Sequence, residues 1–378
     1  MKQKDFEEYI RQVEPSAKES AEAWSTAIGL QEVDGLKPSS YLLETAKRNI
    51  EGDITIDEVR ALLDSYYKSK TVRTEADDNE EEADKVSANI KKILSSRTLA
   101  FNTNGLVSIH RRIFEGVFKH AGEIRTYNIS KKEWILRGES VAYLNWEDLR
   151  RALDFDIQQE REFNYKGLTE EQKIKHLCNF VSGLWQIHPF CEGNTRTTAV
   201  FTIQYLRSIG YNVDNRMFAQ HSWYFRNALV RANYKNSKLG INYDTSFLEK
   251  FFQNLLLGTN YELRNRYLVI DAPDDWTPQN DTQDSENDTQ ENRNDTQDDT
   301  KEVKNDTQGR FTEGIIPQKS ELEEWIEYQI KNDPKISTDK LAKLARVSVS
   351  TIKRRIAKHG GIKFIGSGFS GHWEITKE

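Results

Sequence analysis

The stretch from residue 271 to 308 constrains this chain more than any other, because almost nothing in it can pack. It holds 13 Asp/Glu against 3 Lys/Arg, a local charge of −10, and N-D-T-Q recurs at Asn280, Asn287, Asn294 and Asn305. A segment so poor in apolar side chains cannot offset the entropy of ordering, which predicts a disordered linker over residues 271–311. The 378 residues are thereby divided into separate folded parts, and the length allows two or three domains. With 54 Lys/Arg against 60 Asp/Glu the whole chain has no basic field for nucleic acid or anionic lipid, so any such binding must be local. The four Asn-Asp-Thr triplets match the glycosylation pattern, but the opening MKQKDFEEYIRQVEP lacks the apolar stretch of a secretory signal. No run approaches the ~20 apolar residues of a membrane helix. The expectation is a soluble, cytoplasmic protein without a membrane partner. Two cysteines, Cys178 and Cys191, exclude a disulfide framework and a cysteine-rich zinc site.

Three folded pieces remain, and the fold class is mainly α. In residues 1–70, Trp24, Ile28 and Val33, then Leu42, Leu43 and Ala46, then Ile56, Val59, Leu62 and Leu63 recur at helical spacing. Asp34-Gly35 with Pro38, and Glu51-Gly52-Asp53, separate the three helices this predicts. The run TEADDNEEEAD from Thr74 to Asp84 reads as a second acidic connector. Residues 85–268 are again helical, except that the β-formers around Gly138, from Trp134 to Tyr143, predict a hairpin. Residues 312–378 open with a helix over 320–331. Two short helices joined near Arg346-Val347 follow, capped by Ser337 or Thr338 and by Ser348, and then two strands around a glycine-rich tip. That order describes a winged helix.

The chemistry is concentrated in His188-Pro-Phe-Cys-Glu-Gly-Asn-Thr-Arg196, which joins two amphipathic helices. Gly193, Asn194 and Thr195 fall where the second helix begins, so backbone N–H groups and the positive end of the helix dipole converge on an anion, naturally a phosphate. Arg196 adds a permanently charged bidentate clamp. Glu192 offers a hard oxygen ligand for Mg²⁺ bridging a nucleotide's phosphates. His188, with an intrinsic pKa near 6.5, can take a proton from a hydroxyl nucleophile. Phe190 anchors the loop, and nothing near Cys191 points to a nucleophilic thiol.

This stretch resembles the motif of the Fic family, H-x-F-x-D/E-G-N-G-R-x-x-R, and the resemblance extends over roughly residues 85–265. It implies a protein adenylyltransferase that moves AMP from ATP to a Tyr, Thr or Ser hydroxyl of a target protein. By the resemblance His188 is the general base, Glu192 the Mg²⁺ ligand, Gly193 and Asn194 parts of the anion hole, and Arg196 the phosphate clamp. Ala-Gly-Glu-Ile-Arg125 is similar to the segment before the family's flap, and the hairpin at Trp134–Tyr143 is placed like the flap itself, which aligns a target by strand addition. Trp223-Tyr-Phe-Arg-Asn-Ala-Leu is similar to the family's late helix. There Tyr224 and Asn227 either approach the nucleoside or serve as core and cap. Two positions depart from the motif: Thr195 replaces its second glycine and Ala199 its last arginine. A bulkier residue at the glycine also occurs in the Doc branch, which transfers phosphate, so phosphoryl transfer stays open beside AMP transfer.

Residues 1–70 resemble the VbhA-type antitoxin, which would make them an inhibitory domain fused to its target. The family's inhibitory S/T-x-x-x-E-G/N falls on Leu30-Gln-Glu-Val-Asp34-Gly35, with Asp34 in place of Glu; Ile50-Glu51-Gly52 is a second candidate. The expected partner of that acid is the arginine replaced by Ala199. At the other end, residues 335–378 hold 10 Lys/Arg against 3 Asp/Glu, a local +7. Lys353, Arg354, Arg355 and Lys358 lie on or beside the second helix of the motif, which suits DNA. A DNA-binding regulator with a degenerate Fic domain is the competing reading.

Overall fold

The computed structural model describes residues 1–270, positions 73, 97, 214 and 215 aside, and 322–333, 336–345, 352, 355–356, 362–365 and 372–375. Contacts divide the chain into two compact units between Asp295 and Thr296.

The first unit begins with four helices, α1 (Gln3–Gln12), α2 (Lys18–Gly29), α3 (Ser40–Glu51) and α4 (Ile56–Ser69), where the sequence suggested three. The extra one, α1, buries only Phe6, too little for a periodic signal. A 3₁₀ turn, Leu30–Asp34, continues α2 and ends on Gly35 at φ 68°, and Gly52 at φ 84° ends α3, both at the expected breaks. The helix α2 has two apolar faces. Ala21, Trp24 and Ile28 pack with Leu42, Leu43, Val59, Leu63 and Tyr67. Ala23, Ala27 and Leu30 instead join the main core of the unit. Residues 1–70 are therefore built onto the rest of the unit, and α2 is the shared wall.

The run from Thr74 to Asp84 is no connector. It forms the first half of α5 (Glu75–Leu94), with Thr74 and Asp77 in a reciprocal capping box. Glu75, Asp77 and Asp78 fill the first turn, where the helix dipole favours negative charge. Cations complete the neutralisation: Lys70 reaches Asp77 at 2.6 Å, and Lys85 reaches Asp64 and Glu81 at 2.8 and 2.7 Å. Asp84 is wholly buried and accepts hydrogen bonds from Ser39 N (2.8 Å), Ser39 Oγ (2.5 Å) and Tyr67 Oη (2.7 Å), tying α3 and α4 to α5.

The main core is wrapped by α5, α6 (Thr103–Phe114), α7 (Leu149–Glu162), α8 (Glu170–Ile187), α9 (Asn194–Ser208), α10 (Arg216–Gln220), α11 (Ser222–Ala232) and α12 (Ser246–Leu257). Gly29 lets α2 lie directly on α10, since a Cβ there would stand 2.3 Å from the Ala219 carbonyl oxygen. The segment from Trp134 to Tyr143 contains no strand. Trp134–Leu136 is a 3₁₀ turn followed by left-handed Arg137 and Gly138, closed by Glu133 N–H donating to Glu139 O at 2.9 Å. Ile135 and Leu136 are both fully buried. Consecutive inward residues cannot alternate across a strand, so core packing overrides the β-formers.

In the second unit, α13 (Leu322–Asn332) and α14 (Thr338–Ala345) pack with Ile352, Ile356 and Ile362. Ser337 Oγ accepts from Lys340 N at 3.1 Å as the expected cap. Strands β1 (Ile362–Ile365) and β2 (His372–Ile375) pair antiparallel with Phe364 opposite Trp373, and Trp373 Nε1 donates to Ile336 O at 2.8 Å. Of the DNA candidates, Lys353 and Arg354 lie outside the described residues, as does Lys358, while Arg355 sits half-buried in a helical stretch. Among the described residues no helix is long and apolar enough to cross a membrane.

Candidate active site

The helix α8 ends at His188, which takes a left-handed conformation (φ 51°) that non-glycine residues seldom adopt. Pro189 follows and disfavours further helix. Arg125 holds the strained loop in place: its Nε donates to His188 O at 2.8 Å, its Nη2 to Leu144 O at 2.6 Å, and its backbone N–H to Pro189 O at 2.9 Å. The His188 ring is buried. Nδ1 meets Trp185 O at 3.2 Å, and since a carbonyl only accepts, Nδ1 carries the hydrogen. That leaves Nε2 as the lone pair, buried and without a hydrogen-bond partner. Burial, then the charge of Lys131, hold the His188 pKa well below its ordinary value, with smaller pushes from Arg226 and Arg125. The imidazole is thus neutral at pH 7, with its Nε2 lone pair unprotonated.

The loop closes on itself through Asn194, whose Oδ1 accepts from Phe190 N at 2.9 Å and whose Nδ2 donates to Phe190 O at 2.8 Å. Gly193 begins α9 at φ 71° and offers no capping side chain, so the first N–H groups of the helix are left for another acceptor. A Cβ at Gly193 would stand 2.1 Å from the Phe114 ring, so only glycine fits. Beneath the loop, His110 stacks on Phe190 at 3.8 Å, accepts from Gly122 N at Nδ1 (2.8 Å) and donates from Nε2 to Glu192 O (3.1 Å). Burial pushes its pKa down to about 3. The Glu192 carboxylate is exposed and lies 3.5 Å from Lys131 Nζ.

Arg196 is almost wholly buried over the Phe114 ring, with its Nε at ion-pair distance from a carboxylate but without a hydrogen bond. Its Nε lies 2.8 Å from Asp34 Oδ2, its Nη2 2.8 Å from Glu82 Oε1, and its Nη1 donates to Gln31 Oε1 at 3.0 Å. Asp34 therefore meets the arginine that the motif retains, while Ala199 is sealed in the core. The Thr195 hydroxyl is turned to α8, its Oγ1 accepting from Trp185 Nε1 at 2.9 Å. Tyr224 and Asn227 are buried and satisfied internally, Tyr224 donating to Phe247 O at 3.3 Å and Asn227 to Asn265 Oδ1 at 2.9 Å. Above the site, Arg226 pairs with buried Glu133 at 2.8 Å, and Tyr143, whose ring lies 4.2 Å from that of His188, donates to the same Glu133 at 3.2 Å.

The nine-residue stretch is thus gathered into one site, together with Asp34, while Tyr224 and Asn227 belong to the surrounding core. Sequence reasoning missed Gln31, Glu82, His110 and the Glu133–Arg226 pair, since each acquires its role from a distant partner. Among the described residues no group of three or more His, Cys, Asp or Glu is placed to hold a metal. Glu192 alone fits a Mg²⁺ ion, which accepts one carboxylate when phosphate oxygens and water complete its shell.

Residues 100–206, from the approach to α6 almost to the end of α9, match the model of the Fic/DOC family. Over 178 residues it is 27% identical to the protein adenylyltransferase VbhT of Bartonella schoenbuchensis, covering 47% of this chain and 35% of that protein. It is 25% identical over 142 residues to a protein adenylyltransferase of Bartonella henselae, covering 35% and 26%. It is 29% identical over 126 residues to the probable protein adenylyltransferase y4lH of Sinorhizobium fredii, covering 33% and 62%. The chain thus spans about a third of VbhT and about a quarter of the B. henselae protein. Among solved structures it is similar to the N-terminal FIC domain of Bep8 from Bartonella sp. 1-1C (18% identity, TM-score 0.39, 50% of this chain and 88% of that one). It is also similar to a Fic family protein of Desulfovibrio desulfuricans G20 (13%, 0.37, 94% and 88%).

Proposed function

We propose that this chain is a protein adenylyltransferase of the Fic type, restrained by its own N-terminal segment. The observation that carries the reading is the buried, unpartnered Nε2 of His188 beside the uncapped start of α9. In the reaction, the hydroxyl oxygen of a target Tyr, Thr or Ser attacks the α-phosphorus of ATP while His188 Nε2 takes the hydroxyl proton. The bond from the α-phosphorus to the bridging oxygen breaks, and pyrophosphate leaves. The N–H groups opening α9 bind phosphate oxygens, and Arg196 steadies the leaving phosphates. Mg²⁺ held by Glu192 would neutralise charge on those phosphates. Names among the relatives support the class of reaction.

Restraint follows from Arg196. While Asp34, Gln31 and Glu82 lie against its buried guanidinium, Arg196 is withheld from a nucleotide. This supports the antitoxin-like reading of residues 1–70 with a changed contact, Asp34 on the first motif arginine. The second unit is proposed to be a winged helix that binds duplex DNA through Lys353, Arg354 and Arg355, supported by the local +7 charge. Incubation with ATP labelled at the α- or γ-phosphate tests the enzyme: α-label on protein, lost in His188→Ala, is expected. Transfer of γ-label alone would mean phosphoryl transfer, and no label even after Asp34→Ala would leave a DNA-binding regulator. Titration of labelled duplex at several salt concentrations tests the tail, with binding that weakens steeply as salt rises and is lost in the Lys353/Arg354/Arg355 triple alanine variant.

A further inference from the structure

Position 195 departs from the motif, and its side chain has a partner that a glycine could not supply. Thr195 Oγ1, in the first turn of α9, accepts the indole N–H of Trp185 in the last turn of α8 at 2.9 Å, and both groups are buried. This bond spans the base of the loop between the two helices. A buried indole N–H left without an acceptor costs about 1–3 kcal/mol, so the threonine fixes where the ring lies. Trp185 in turn makes three contacts with His188. Its carbonyl receives the Nδ1 hydrogen at 3.2 Å and the His188 backbone N–H at 3.1 Å, and its ring stands edge-on to the imidazole at 5.1 Å and 90°. Tyr143 closes the corner, 5.8 Å from Trp185 and 4.2 Å from His188.

We propose that Thr195 is a positioning residue for His188, acting through Trp185 to fix the ring's orientation and its Nδ1–H tautomer. The inference rests on the proposed function only in taking His188 as the base. The groups facing the imidazole are Trp185 from α8, Tyr143, Lys131 and Arg125 from the loop between α6 and α7, and Arg226 from α11. Three are cations, and Tyr143 spends its hydroxyl on Glu133. No carboxylate is therefore placed to fix the tautomer, and the Trp185 carbonyl does so alone among them.

The test uses full-length protein with ¹³C-labelled histidine rings, the His188 signal being assigned by its loss in His188→Ala. Thr195→Val keeps the shape and removes the acceptor, Thr195→Ala removes bulk as well, and Thr195→Ser keeps the hydroxyl. The expected result is a mixed tautomer and an upward-shifted titration of His188 in the valine and alanine variants, restored by serine. Measured in an Asp34→Ala background, transfer of α-label should fall roughly ten- to a hundredfold in kcat, with KM for ATP within about twofold, because misplacing a base acts on the transition state. Unchanged His188 tautomer and titration in Thr195→Val and Thr195→Ala would overturn the proposal. So would equal losses in the serine and valine variants. If no variant transfers label even in an Asp34→Ala background while the His188 signal still responds to Thr195, the adenylyltransferase reading fails and the positioning role stands.

Discussion

Asp34 and Arg196 lie 2.8 Å apart, which places the end of the α2 extension on a buried arginine in the first turn of α9. Arg196 also holds Glu82, from α5, a helix of the main hydrophobic core, so only part of its engagement comes from the N-terminal segment. Removing Asp34 alone should therefore release the site in part. Asp34 is about a third exposed, and its contact is worth about 1 kcal/mol. Asp34→Ala should raise α-label incorporation about fivefold, and Asp34→Ala with Gln31→Ala further. Point variants are preferable to deleting residues 1–70, because Ala23, Ala27 and Leu30 belong to the main core. Label incorporation no higher than wild type in the double variant would remove the restraint from this contact.

A second expectation concerns acid. His110 is buried as a neutral ring with its pKa pushed down to about 3, against about 6.5 in an unfolded chain. The unfolded chain then binds the extra proton first, so stability is full above pH 6.5 and is lost as pH falls toward 3. The loss is about 1.4 kcal/mol per pH unit, or ~2 kcal/mol by pH 5. In His110→Gln, this part of the slope should vanish. Calorimetric melts of both proteins at pH 5 and 7.5 measure it, and parallel slopes would contradict the burial of a neutral imidazole.

Asp84 should act in the opposite sense. Burial raises its carboxyl to about 6, against the pull of the hydrogen bonds from Ser39 and Tyr67. Here the folded protein keeps its proton longer than the unfolded chain. Stability from this group is therefore present at low pH and lost as pH rises from about 4 through 6, by up to ~3 kcal/mol. Asp84→Asn keeps an acceptor for the Ser39 N–H, and Ser39 and Tyr67 hydroxyls can accept from the new amide. The variant should gain on wild type as pH rises from 4.5 to 7.5, as measured by melting the two in parallel.

These two groups also mark where the sequence was legible. His188, Glu192, Gly193, Asn194 and Arg196 stand within nine residues, so their joint chemistry could be read from spacing alone. His110 is eighty residues upstream, and only the stack on Phe190 gives it a role. Glu82 and Asp84 were hidden by their neighbours, because a run of acids reads as a solvated surface, whereas on a helix two of them turn inward to Arg196 and to Ser39. The breaks at Gly35 and Gly52 were legible because a left-handed residue ends a helix locally. The strands read into the segment after Trp134 failed because Ile135 and Leu136 are drawn into the core together. Asp34 was legible as a helix-end acid, but its partner was not, since the choice of Arg196 depends on how α2 lies against α9.

The tightest constraint in the site is at Gly193, and it yields the last prediction. The residue needs a left-handed backbone at φ 71°, and its Cα faces the Phe114 ring so closely that a methyl group would stand 2.1 Å from the nearest carbon. Phe114 is itself fully buried, and carries the Arg196 guanidinium on its face at 4.8 Å, so it cannot step aside without moving that group. Gly193→Ala should therefore destabilise the first unit by about 2–4 kcal/mol and abolish α-label transfer. Trimming the ring with Phe114→Leu should relieve the clash but not the backbone strain, which costs ~1 kcal/mol. The double variant should then melt above Gly193→Ala alone while staying inactive, because the cation–π support of Arg196 is gone. Melting temperatures of the two single variants and the double form a mutant cycle, and an additive result would mean that Phe114 does not set the limit at Gly193.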